Sequence, residues 1–145
     1  MSLPTPHPGL VIRYAYLWSN EAERGSESAS KDRPCAIVLA RQFVEGRSIV
    51  TVVPVTHTPP SHSAEAIEIP AHIKRLLGLD EQRSWIVLSE VNDFLWPGPD
   101  LVAVPGSTPT RFDYGTLPPG FFRVVRDQLI ALVKERRTQR IKRTE

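Results

Sequence analysis

A single cysteine, Cys35, is all the thiol chemistry in the 145 residues. One cysteine cannot close an internal disulfide, so a disulfide-stapled scaffold is excluded. The four scattered histidines supply no ligand set for a structural zinc, and no metal is expected. No apolar run approaches the ~18 residues that a membrane span needs. Residues 1–8 (MSLPTPHP) are polar and proline-rich and lack the apolar core of a secretion signal, so a cytoplasmic protein is expected. There is no phosphate-binding glycine loop, nucleophile elbow or histidine pair at ligand spacing, and no cofactor is expected. Net charge is also scarce, at +2 from 18 basic and 16 acidic residues. It is unevenly spread. Six of the basic residues but only two of the acidic ones lie in 134–145, so that stretch carries +4 and residues 1–133 carry −2.

Proline is the residue in excess. Fourteen prolines are about twice the usual ~5%, which works against a mostly helical chain and favours short strands joined by turns. Leu10–Trp18 (LVIRYAYLW) reads as a strand, and 19–32 as a polar loop. Cys35–Ala40 (CAIVLA) is a continuous apolar run suited to a strand buried on both faces. Ile49–Thr56 (IVTVVPVT) is the strongest strand; Pro54 inside it predicts a sheet edge or rim there. Ala66–Ile69 and Trp85–Val91 are further strands, and 92–110 is loop with a possible strand at Leu101–Val104. Pro70–Leu79 reads as a short helix stopped by Gly78. Phe122, Val125, Leu129 and Leu132 stripe one face of a long helix opening at 116–120. The expected fold is mainly β: about five strands in a curled sheet or small barrel, with a short inserted helix and a C-terminal helix. Residues 8–133 make one domain; 134–145 continue the helix or fray as a basic tail.

One rim draws chemistry together. Arg33 is fixed at the start of a buried strand by Pro34 and the run behind it. Thr56 and His57 end the strongest strand. Paired antiparallel across a turn at 41–48, these strands bring Arg33 and Thr56 to the same rim, each about eleven residues from the turn.

These residues also carry a resemblance. Pro8-Gly9 before the first strand, Gly25-Ser26-Glu27, Arg33-Pro34 with its apolar strand, and Pro54-Val55-Thr56 occur in the order seen in the MazF/PemK toxins of bacterial toxin–antitoxin systems. The chain resembles a divergent branch of that family. Leu10 stands where an acidic residue is usual, Ser19-Asn20-Glu21 replace an Asp-Pro, and Ser28 replaces a Gln. The resemblance implies an SH3-like barrel and a metal-independent endoribonuclease that cleaves single-stranded mRNA at selected sequences. The products are a 2′,3′-cyclic phosphate and a 5′-OH end. It further implies a homodimer, and inhibition by a small acidic antitoxin. It assigns catalysis to Arg33 and Thr56. A guanidinium offers a two-donor fork to phosphate, and fixed donors neutralise charge developing on phosphorus.

The residue that takes the 2′-OH proton is left open. His57 is the first candidate, since imidazole is the side-chain type suited to carrying protons near neutral pH, and Glu27 the second. Ser26 and Lys31 are candidate RNA contacts, with Glu90 and Asn92 as strand-end residues on the same rim. Trp18, Trp85 and Trp96 read as core or interface residues before base-stacking platforms. Cys35 reads as packing, and His62 and His72 as surface residues. The competing function is a non-catalytic RNA- or protein-binding module on the same barrel, and beyond it a structural domain with no nucleic-acid role.

Overall fold

The strongest β-formers of the sequence pair first with one another. The structure, a computed structural model, describes residues 3–20, 31–42 and 46–143. Strands β1 (Leu10–Tyr14), β2 (Arg33–Gln42) and β3 (Ser48–Thr56) run antiparallel side by side. There follow β4 (Ala66–Glu68), helix α1 (Ala71–Leu76), β5 (Trp85–Val87), β6 (Glu90–Leu95), β7 (Asp113–Thr116), helix α2 (Pro119–Lys134) and β8 (Gln139–Lys142). The eight strands form one sheet in the order β4-β5-β3-β2-β1-β7, with β6 pairing both β3 and β8. The fold is mainly β with two α-helices among the described residues. Eight strands stand among the described residues where about five were expected.

The central strands are buried on both faces because their side chains alternate between two cores. Val11, Ala36, Val53 and Val55 join one core with Ile73 and Leu77 near α1 and Val125 and Leu132 of α2. Leu10, Ile12, Tyr14, Cys35, Ile37, Val50 and Val52 join the other with Phe94. The α2 stripe behaves as its spacing predicts: Phe122 and Leu129 pack beside Val125 and Leu132. Gly9 sits at φ 95, which side-chain-bearing residues rarely adopt, and its N–H and carbonyl tie Ile37 to Leu117.

Four expectations change. Pro54 is not at a sheet edge. It lies in the interior, where β3 leaves β6 after Val52 and takes up β5 at Val55. Trp85–Val91 is not one strand; it breaks at Leu88-Ser89 between β5 and β6, the same change of partner seen from the other side. The 92–110 stretch is not all loop: β6 runs on to Leu95, paired with β3 as far as Ile49, and Leu101 makes only a single bridge, to Tyr14. The basic tail neither continues the helix nor frays. Arg136 takes a left-handed φ of 58, and the N–H groups of Arg136 and Arg137 cap the carbonyls of Val133 and Leu132. The chain then turns into β8, parallel to β6. Its charge meets the acidic body there: Arg137 pairs with Glu65, Arg140 with Asp93 and Arg143 with Asp100. Arg143 is nearly buried, and its Nη1 donates to the Ala15 carbonyl at 2.7 Å and the Tyr14 hydroxyl at 3.2 Å.

Candidate functional site

The β2–β3 register builds the site. Cys35 lies opposite Pro54, so two residues further out Arg33 and Thr56 fall opposite one another at the same end of the sheet. Arg33 Nη1 donates to the Val55 carbonyl at 3.3 Å. Its guanidinium carbon stands 4.9 Å from the Trp18 ring centroid, within cation–π range. Its Nε is buried and has no hydrogen-bond partner among the described residues. Thr56 accepts the Thr58 N–H at 3.2 Å, which turns the chain so that His57 projects from the strand end.

Arg33, Thr56, His57 and Lys31 form a saddle between two open clefts. One, of about 520 Å³, runs from Trp18 along Pro59, Pro60 and Ser61 to Glu65 and Ser89. The other, of about 420 Å³, runs along Asp32, Leu79 and Asp80 to Val104 and Tyr114. A ligand lying across the saddle meets all four side chains.

The charges at the saddle are fixed in place. Arg13 binds Asp32 through its Nε and the Tyr114 hydroxyl through its Nη1 at 3.0 Å. The hydrogen bond from Arg13 holds the Asp32 carboxyl below the usual carboxylate range, against the pull of burial. His57 Nε2 lies 2.8 Å from Asp80 Oδ2, and Asp80 Oδ1 accepts from Lys74 at 2.7 Å. Burial pushes the Asp80 carboxyl up, but the Lys74 bond and charge, with His57, outweigh it and leave it below its ordinary value.

The sequence-derived residues divide three ways. Arg33, Thr56, His57 and Lys31 come together on the saddle. Ser26 and Glu27 lie outside the described residues. Glu90 and Asn92 do not reach the clefts. Glu90 accepts the Tyr16 hydroxyl at 3.1 Å and the Ser19 N–H at 2.9 Å. Asn92 is fully buried and pairs with both backbone groups of Leu17 at 2.9 Å. Both belong to β6, and their hydrogen bonds clamp the segment that carries Trp18. His62 and His72 are exposed, and Trp85 and Cys35 are buried, as expected. Burial pushes the Cys35 thiol far up, so it is inert packing.

Sequence reasoning missed Trp18, Asp80 and Lys74 as parts of the site. Trp18 belongs to an aromatic run that reads as core. Nothing in the chain joins Asp80 to His57; the only local signal is Gly78, whose φ of 68 turns the chain back at the end of α1. Among the described residues no cluster of His, Cys, Asp or Glu is arranged to hold a metal, and no helix is long and apolar enough to cross a membrane. No family model, curated protein or solved structure matches the chain.

Proposed function

We propose that the saddle is a phosphate site for single-stranded RNA, and that the protein is a metal-independent endoribonuclease of the MazF/PemK toxin type, its sheet curled as an SH3-like barrel. One observation carries the reading. Arg33 is held between Trp18 and the Val55 carbonyl, keeps a buried Nε with no partner among the described residues, and shares an open saddle with Thr56 and His57. A guanidinium fixed in this way offers its donors at the saddle without having to be ordered by the ligand, which suits a phosphate.

The chemistry follows from these groups. His57 takes the 2′-OH proton. The 2′ oxygen bonds to phosphorus as the bond to the 5′ oxygen breaks, and that oxygen leaves with a proton from water in the open cleft. Arg33 and Thr56 donate to the phosphate oxygens as negative charge builds on them. The need for a 2′-OH restricts cleavage to RNA. The sequence resemblance supplies the rest of the proposal: a homodimer with the RNA groove across its face, neutralised by an acidic antitoxin segment that meets the donors phosphate would meet.

The test is incubation with a defined RNA and the matched DNA in EDTA. The expected result is cleavage of RNA alone, leaving a 2′,3′-cyclic phosphate, and its loss in Arg33→Ala. RNA recovered intact but bound through Arg33 makes the protein a binding module instead. Arg33-independent binding removes both readings.

A further inference from the structure

Behind His57 stands a charged chain that the proposed cleavage does not by itself require. Lys74 of α1 is nearly buried, its side chain 6% exposed, which is rare for lysine unless its protons are met. Here they are. Nζ donates to Asp80 Oδ1 and Ser84 Oγ, each at 2.7 Å, and to the Gln82 carbonyl. Asp80 Oδ1 also accepts the Gln82 N–H at 3.1 Å. One carboxylate oxygen is thus occupied by two donors, the Lys74 ammonium of α1 and the Gln82 N–H of the loop after it. The other, Oδ2, faces His57 Nε2 at 2.8 Å.

We infer that Asp80 is a positioning residue for His57. Anchored on one oxygen by Lys74, it holds the imidazole by Nε2–H and leaves Nδ1 as the proton acceptor. An ionised carboxylate only accepts hydrogen bonds, so a neutral ring beside it must carry its one proton on the facing nitrogen. Asp80 stays ionised wherever a histidine titrates, because the Lys74 bond and charge outweigh the cost of burial. The other charged groups lining the clefts with His57 are Lys31, Arg33, Glu65 and the Arg13–Asp32 pair. Among the described residues it is Asp80 that meets the ring.

The inference rests on the RNA-cleaving reading only for the use made of Nδ1. The decisive measurement does not depend on that reading: nitrogen NMR of the His57 ring in the wild type and in Asp80→Asn. In the variant, Lys74 and the Gln82 N–H both demand an acceptor, so the amide oxygen takes the Oδ1 place and the NH2 faces His57. The ring must then accept at Nε2 and carry its proton on Nδ1. The expected result is an Nε2–H tautomer in the wild type, inverted to Nδ1–H in Asp80→Asn. RNA cleavage falls about 100-fold with KM little changed, the range of a displaced general base. In a His57→Ala background, Asp80→Asn adds no further loss.

A wild-type ring protonated on Nδ1, or a tautomer that Asp80→Asn leaves unchanged, overturns the inference. So does an equal rate loss from Asp80→Asn with and without His57, which is the mark of a loop staple. If the wild type cleaves no RNA, the enzymatic reading falls while the tautomers still decide the role of Asp80.

Discussion

The guanidinium carbon of Arg33 stands 4.9 Å from the ring centroid of Trp18, and Trp18 follows the residue whose two backbone groups Asn92 holds. The position of the central cation is therefore set by a chain of contacts running into the core. Trp18→Ala frees Arg33 to explore other rotamers and removes a contact worth about 0.5–2 kcal/mol. Affinity for an RNA with a 2′-deoxy group at the scissile position is expected to fall about tenfold by fluorescence titration, and Trp18→Phe to recover most of it. Equal affinity in Trp18→Ala would separate the tryptophan from the site.

Asn92→Ala tests the base of that chain. It strips the partners from the Leu17 N–H and carbonyl in a fully buried setting. Unmet buried groups cost about 1–3 kcal/mol each. Urea denaturation should show a loss of about 3 kcal/mol, far more than a surface substitution gives.

Much of the fold was legible because the central strands have the simplest physics. Cys35–Ala40 and Ile49–Thr56 are apolar runs with two faces to bury, and their antiparallel pairing brings Arg33 and Thr56 to one end of the sheet, although the one-residue shift between Ile37 and Leu39 that sets them directly opposite has no signal in the sequence. The α2 stripe was readable for the same reason. What escaped were elements whose partners lie far along the chain. The Asp113–Thr116 strand (DYGT) is short and mostly polar, and exists because β1 offers it an edge. β8 (QRIK) reads as part of a basic helix until Arg136 turns the chain onto β6. Pro54 misled because a proline also fits where a central strand changes partners. In the site, Arg33, Thr56 and His57 stood out by position in their strands. Asp80 did not, since its pairing with His57 arises only when α1 and the loop behind it fold against the end of β3.

The helix stop itself is testable. Arg136 is an exposed side chain held at φ 58, where a Cβ costs about 1 kcal/mol and glycine costs none. Arg136→Gly should stabilise the protein by about 1 kcal/mol in urea denaturation. A loss of stability would mean that the arginine side chain contributes contacts of its own.

The Arg13–Asp32 pair predicts an acid limb. Asp32 has a folded value below its ordinary one, chiefly through the Arg13 hydrogen bond. Its contribution is therefore complete above the unfolded carboxylate value of about 3.9 and is lost as pH falls through the folded value. The stability gap between wild type and Asp32→Asn should be constant from pH 7 to about 5 and should close as the medium becomes more acid. A gap that widened toward low pH would contradict the pairing.

Arg143 gives the cleft an order of assembly. The guanidinium that holds the Ala15 carbonyl lies 128 residues further along the chain, so closing that contact is among the more costly loop closures in the molecule. Strand β8 must dock on β6 before Arg143 can reach its partners. This last tie on the segment leading to Trp18 therefore depends on a far longer loop closure than the β2–β3 pairing that positions Arg33. A nascent chain that has not yet reached Arg143 holds both halves of the Arg33–Trp18 pair and the Asn92 clamp on Leu17, but lacks the tie on the Ala15 carbonyl.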